Sequence, residues 1–227
     1  MHVENNFITV GVPMKKSLFA VVMMFLTLAL SGCGGGGSSS PPVYETQILS
    51  RLAFDGDIQF DPPNFFTVTQ GNIPSVLAGI DPVTGSEFRA FLNFPLTGAG
   101  GVPGNASIVS ATLDIFIDSI TIQPAASSIP IRIELVSFPP QTLLASDYDR
   151  NIQLPLAFTT IRPPISQADV NRHVVVDVTL LMREAQRLGL PNFQIRILED
   201  DGFVFPGLIE INETTINREP LLTVNYY

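Results

Sequence analysis

From Tyr44 to the C-terminus, apolar and polar residues alternate with a period of two. Phe88, Ala90, Leu92 and Phe94 alternate with Glu87, Arg89, Phe91 and Asn93, and Ala111, Leu113, Ile115 and Ile117 alternate with Thr112, Asp114, Phe116 and Asp118. The same pattern runs through Ile131-Ile133-Leu135, Val174-Val176-Val178, Phe193-Ile195-Ile197, Ile209-Ile211 and Leu222-Val224-Tyr226. Side chains of a strand point to opposite faces in turn, so each run predicts a strand with one face buried and the other mostly wet. Gly98 to Gly104, Pro124, Pro139-Pro140, Pro163-Pro164 and Asp201-Gly202 separate the runs as turn signals. Many short strands between such turns predict an all-β fold, an antiparallel β-sandwich of jelly-roll type over residues 44–227.

One segment changes period. Leu181, Ala185 and Leu188 are spaced as one face of a helix, with Arg183, Glu184 and Arg187 on the other side. Thr179 is the expected N-cap, and Gly189 followed by Leu190-Pro191 the expected stop. The spacing predicts one short amphipathic α-helix, a lid over one end of the sandwich.

The N-terminal pattern is different again. Lys15 and Lys16 precede an apolar run from Leu18 to Leu30, followed by Ser31, Gly32 and Cys33. The run falls short of the roughly 20 apolar residues a spanning helix needs, but it suits the core of a signal peptide. Charge, apolar length, small residues and cysteine together form the lipobox of a bacterial lipoprotein, with residues 1–32 removed and Cys33 lipidated. The alternative is a buried free cysteine after a transmembrane segment. The thirteen residues before Met14 include Glu4 and look unlike a signal start, so translation is expected to begin at Met14. Gly34 stands where an aspartate would signal retention at the inner membrane, which points to the outer membrane of the cell envelope. Gly34 to Ser40 and Pro41-Pro42 then read as a tether over 33–43, a flexible coil reaching about 15–20 Å.

Composition narrows the partners. Cleavage before Cys33 removes 32 of 227 residues and leaves 195, enough for one domain with a real core. Both lysines leave with it, and so does Glu4, one of 21 acidic residues; the remainder has ten arginines and a formal charge of −10. So acidic a chain is a poor partner for nucleic acid, where phosphate contacts dominate affinity. It is also poorly suited to hold an anionic membrane by charge, so the acyl chains would provide the anchor. With one cysteine in the chain, the exported domain has no disulfide.

Four stretches carry a family likeness: Phe88-Arg89-Ala90-Phe91-Leu92-Asn93-Phe94-Pro95-Leu96, Ile108-Val109-Ser110-Ala111-Thr112-Leu113, Val176-Asp177-Val178-Thr179 and Pro220-Leu221-Leu222-Thr223-Val224-Asn225-Tyr226. In this order they resemble the DNRLRE-type domain, a jelly-roll-like sandwich grouped with family-96 carbohydrate-binding modules. Pro95 stands where that family usually has an aspartate, and the chain has no tryptophan. The resemblance implies a non-catalytic binding or structural module of exported proteins, with polysaccharide as the ligand class. A structural or adhesion module contacting an envelope protein is the competing expectation.

Candidate chemistry is sparse. After cleavage one histidine remains, His173, at the start of a strand, and no Gly-x-Ser-x-Gly elbow presents a nucleophile to it. Zinc lacks ligands for the same reason. Asp55, Asp57 and Asp61, and Glu199, Asp200 and Asp201, offer hard oxygens beside turns for Ca2+, or else are solvated acidic turns. Asp147 to Arg150 is a further acidic turn, expected to be a solvated loop. The outward-facing rings Phe91 and Phe116, with Tyr148 beside a turn, are the candidate ligand platform; a sandwich covered by its loops would bury them instead. Phe65-Phe66 and Phe203/Phe205 also lie near turns, outside the strand pattern, and count with Tyr148 among the aromatics that matter for ligand binding.

Overall fold

The computed structural model describes residues 41–200 and 206–227. The signal segment, Cys33, the Gly/Ser tract, Asp201, Phe203 and Phe205 lie outside the described residues.

The chain runs through β1 (Tyr44–Leu49), β2 (Gly56–Asp61), β3 (Phe65–Gln70), β4 (Ser75–Ile80), β5 (Glu87–Pro95) and β6 (Ile108–Ile122). Next come β7 (Ser128–Ile129), β8 (Ile131–Val136), β9 (Ala157–Thr160), β10 (Ile165–Ser166) and β11 (Arg172–Asp177). The α-helix α1 (Thr179–Arg187), the single one among the described residues, precedes β12 (Asn192–Glu199), β13 (Gly207–Asn212) and β14 (Leu221–Tyr226). Twelve strands form one curled antiparallel sheet in the order β1-β14-β6-β13-β4-β5-β12-β8-β9, with β11 on β6 and the β2–β3 hairpin on β5; β7 and β10 pair separately. This is the all-β, sandwich-like architecture that the alternation predicts.

Two strands make the sheet curl. Along one edge of β6, residues 108–114 pair with β14 and residues 117–122 with β13. Its other edge carries β11 through residues 112–117. β5 repeats the device, with β12 and then β4 on one edge and β2 on the other. A strand shared in this way sends its two halves into diverging layers. Register shifts at Glu210/Ile211 and Asn225/Tyr226 mark the bends beside β6, as β-bulges do.

The inward positions form one apolar core: Ala90, Leu92 and Phe94, Ala111 to Ile117 at every second residue, Ile131, Ile133 and Leu135, Phe193, Ile195 and Ile197, Ile209 and Ile211, Leu222 and Val224. Burial of such side chains is the main favourable contribution to folding, roughly 1.5–3 kcal/mol each.

α1 packs on β6, β8, β9 and β12 and buries Leu181, Met182 and Ala185. Leu188, expected on the inner face, lies past the last helical residue and is exposed, whereas Met182 is buried beside Leu181 and Ala185. Thr179 is the first helical residue rather than the N-cap. Its hydroxyl accepts the Ala111 N–H of β6 at 3.0 Å, while Asp177 Oδ1 accepts the Thr179 N–H at 2.9 Å. At the other end Gly189 adopts φ 65°, Leu190 N–H reaches the Ala185 carbonyl and Gly189 N–H the Gln186 carbonyl, both at 3.0 Å. These paired bonds are a Schellman stop, as the Gly-Leu-Pro sequence predicts.

Two of the candidate platform rings are covered. Phe91 is wholly buried in a second apolar cluster with Ile58, Val136, Phe138 and Leu143, and Phe138 meets it edge-on at 5.5 Å. Phe116 is buried because the Arg218 guanidinium lies over its ring at 4.2 Å and the His173 ring stands edge-on at 5.0 Å. Both rings point outward from the core as their positions predict, and loops then close over them.

Candidate functional site

The middle of the outward face of β5, β12 and β8 is as dry as the inward face. Asn93, Gln194, Arg196 and Glu134 are buried there, beneath the segment joining β8 to β9. Gln194 pins the start of that segment, with Oε1 accepting the Phe138 N–H at 3.1 Å and Nε2 donating to the Phe138 carbonyl at 2.9 Å. Gln70 pins it a second time, donating to the Phe54 and Pro140 carbonyls and accepting the Leu143 N–H. Arg196 holds the far part. Its Nε and Nη2 donate to Glu134 Oε2 at 3.0 and 2.7 Å, Nη1 donates to the Asp147 carbonyl at 2.7 Å, and Nη2 to the Gln153 carbonyl at 3.0 Å. Arg150 pairs with the second oxygen of Glu134 at 2.7 Å. Burial lowers the Arg196 pKa, and the Glu134 carboxylate opposes that shift.

Held on both sides, the stretch between Asp147 and Gln153 shapes a cleft of about 670 Å³ lined by Phe60, Phe66, Arg89, Tyr148, Asp149, Arg150, Asn151 and Pro155. Strand register supplies one wall, since Phe60 of β2 lies opposite Phe66 of β3. Their rings are 5.0 Å apart, and Tyr148 completes the cluster at 5.5 Å from Phe60 and 5.2 Å from Phe66. Arg89 stacks on Tyr148 with its guanidinium 3.7 Å from the ring centre, donates to the Tyr148 carbonyl, and is fixed by Glu87 at 2.6 Å. Burial, and then Glu87, push the Tyr148 hydroxyl up, so it stays protonated and able to donate. Phe66 is the most open of the three rings, at 37% exposure. The cleft thus combines ring faces with guanidinium, carboxylate, amide and phenol groups, which together can hold a hydroxylated ligand by stacking and hydrogen bonds.

No protein-family model matches this chain, and no curated protein gives a significant match to it. The cleft therefore has to be read from its own geometry.

Of the candidate platform residues, Tyr148 alone lines the cleft, while Phe91 lies beneath the covering segment and Phe116 stands on β6. The acidic turn at Asp147 to Arg150 is not a solvated loop. Asp147 is buried and accepts the Leu144 N–H at 2.8 Å, while Asp149 accepts the Asn151 N–H, also at 2.8 Å. Phe60, Arg89, Arg150 and Asn151 were not expected there. The available signals were Phe65-Phe66 after two prolines and the Tyr148-Asp149-Arg150 turn, which sequence alone does not bring together.

The acidic residues considered for Ca2+ are dispersed over separate tasks. Asp57 accepts the Leu77 N–H at 3.1 Å, and burial raises its pKa to about 6. Asp61 accepts both from Gln59, at 2.9 and 3.0 Å, and from the Ser86 hydroxyl. Asp200 pairs with Arg132 at 2.5 Å, and Glu199 accepts the Gly207 N–H at 3.2 Å. Among the described residues no three His, Cys, Asp or Glu side chains converge as a metal site. Asp55 accepts the Asn93 N–H at 2.7 Å and faces Glu213, a residue the sequence did not single out. His173 bonds Asp114 through Nδ1 at 2.9 Å and is half exposed, as a strand-edge histidine.

Proposed function

We propose that this chain is a lipid-anchored envelope protein whose β-sandwich is a non-catalytic module binding a saccharide in the Phe60/Phe66/Tyr148 cleft. The observation that carries this reading is the three-ring cluster bordered by Arg89, Asp149, Arg150 and Asn151. Pyranose rings present C–H faces to aromatic rings and hydroxyls to polar rims, and this cleft offers both. The resemblance to DNRLRE-type domains supports the same class. A glycan array probed with the full chain should give a defined set of bound polysaccharides, and Tyr148→Ala with Phe66→Ala should abolish that binding. A blank array, or binding that survives both changes, rejects the cleft as a sugar site. The anchor is tested separately, because Cys33→Ser should release the protein from the membrane fraction.

A protein partner is the second reading, and one feature favours it. Ile152, Leu154, Leu156 and Phe158 are exposed at every second position along the approach to β9, which pairs on one side only. An apolar stripe on an edge strand is a template for another chain. Crosslinking in intact cells that gives a reproducible envelope protein, lost on Ile152→Ser with Leu154→Ser, would favour this reading.

A further inference from the structure

Three of the chain's four tyrosines, Tyr44, Tyr226 and Tyr227, gather at one end of the strands. Strand register brings them there. Tyr44 at the start of β1 lies opposite Tyr226 of β14, their rings 6.0 Å apart, and Tyr226 lies opposite Ile108 at the start of β6. Tyr227 follows, exchanging backbone hydrogen bonds with Ser107 at 2.8 and 3.2 Å. Val43, Tyr44 and Tyr227 are each more than half exposed, and Val109 is exposed beside Ile108. From the same end α1 presents Arg183 and Arg187 to solvent. Arg183 donates to the Ile108 and Val109 carbonyls, and both arginines border, with Ser107, a shallow hollow of about 290 Å³. Phenol rings are apolar at one end and wet at the other, which suits the boundary between acyl chains and headgroups, and guanidinium groups match lipid phosphate.

The position of Cys33 says what would cover this patch. Tyr44 stands eleven residues after it, and a Gly/Ser-rich coil of that length spans roughly 17–20 Å, or at most about 40 Å fully extended. The domain is longer than such a tether: β6 alone has 15 residues and runs roughly 45 Å. A lipid on Cys33 therefore offers the bilayer to the tyrosine end at high effective concentration, and to the other end of the strands far less.

We propose that Tyr44, Tyr226 and Tyr227, with Arg183 and Arg187, seat this end of the domain on the phospholipid headgroup layer that holds the Cys33 lipid. The proposal rests on the lipid anchor put forward above. Its consequence is orientation. Pro95 at the end of β5 leads to the start of β6 beside the tyrosines, whereas Glu87 at the start of β5 lies opposite Phe60 and Ile80. The Phe60/Phe66/Tyr148 cleft thus stands toward the end of the strands away from the tyrosines. A domain seated in this way turns the cleft from the lipid.

The chain has no tryptophan and one cysteine, which supply a probe position and a handle for the test. The full chain is coupled through the Cys33 thiol to a maleimide lipid in vesicles of phosphatidylethanolamine and phosphatidylglycerol, with and without phospholipids brominated near the headgroup as quenchers. Tyr44→Trp and Tyr227→Trp each place the sole tryptophan in the patch. Val83→Trp places it in the exposed turn after β4, by the far end of β6, because Gly79 lies opposite Leu208 and Leu208 opposite Thr121. Emission from positions 44 and 227 should move to shorter wavelength and fall by at least half with brominated lipid, while emission from position 83 stays unchanged. Should Tyr44→Trp fail to fold, Tyr227→Trp and Val83→Trp carry the test. Equal quenching at all positions, or none at 44 and 227, overturns the proposal. Mass spectrometry of Cys33 in protein taken from cells keeps the two readings apart: a cysteine without acyl groups removes the anchor and the seating with it, whereas an acylated cysteine with unquenched tryptophans overturns the seating alone.

Discussion

Over the middle of the β5–β12–β8 layer both faces are buried, but they are built by different physics. On the inner face Ala90, Leu92, Phe94, Ile131, Ile133, Leu135, Phe193, Ile195 and Ile197 pack without a polar atom. On the outer face Phe91 and Val136 share the space with Asn93, Gln194, Arg196 and Glu134, all dry under one covering segment. The inner face is held by non-directional burial, tolerant of exchange between similar shapes. The outer face is held by directed bonds from three side chains, Gln70, Gln194 and Arg196, that fix where the segment runs. The difference matters for function, because the segment fixed in this way carries Tyr148 to Asn151 into the cleft. A packed core makes the fold, and a buried polar network places the site on it.

That contrast can be broken from either side. The largest effect is expected on the outer face: Arg196→Ala takes from the buried Glu134 its one fully buried partner, which donates to it twice, and should destabilise by about 3–5 kcal/mol in urea unfolding. Replacing the pair together, Arg196→Met with Glu134→Leu, should recover most of that loss, because well-packed apolar side chains often match a buried ion pair. On the inner face, Ile195→Ala should destabilise by about 2–5 kcal/mol through lost burial and a cavity, and no second substitution of a polar residue should rescue it. Failure of the double variant to recover would mean that the two faces do not differ in the way argued.

A smaller effect is expected where the lid meets the sheet. Asp177→Ala removes the acceptor of the Thr179 N–H and should destabilise by about 0.5–1 kcal/mol, the low end for an exposed helix-start position. Its hydrogen bonds to the Thr179 hydroxyl and N–H hold the Asp177 carboxyl below the usual range. The stabilisation is therefore present above the unfolded-state pKa near 4 and is lost as pH falls through the lower folded-state value. Stability of parent and variant measured from pH 7 to pH 2 should converge at the acidic end. A constant gap would sever the link to that carboxyl.

The inner face was legible because a strand with one apolar face writes its pattern directly into the chain: Ala111, Leu113, Ile115 and Ile117 need no partner to be read. The helix stop was legible for the same reason, since Gly189 and Pro191 act locally. The outer face was not. Glu134 and Arg196 sit where alternation predicts wet residues, and nothing within their own strands reveals that 137–156 folds over them. Phe91 and Phe116 were read as outward, which their strand positions bear out, but exposure depends on distant loops and Arg218. The β2–β3 hairpin was missed as well, because Phe65-Phe66-Thr67-Val68-Thr69-Gln70 lies on an edge, mostly exposed, and shows no alternation in burial. The cleft is made of such pieces, so of the three platform residues Tyr148 alone proved to line it, joined by Phe66 from the other aromatics near turns.

Hydrogen exchange tests the central claim most directly, comparing the parent with the Arg196→Met/Glu134→Leu double variant. If the polar network positions the cleft segment while the apolar core holds the fold, amides between 142 and 156 should lose protection and those of β5, β6 and β12 should keep it. Unchanged protection in the segment, or equal loss throughout the sheet, would contradict the account.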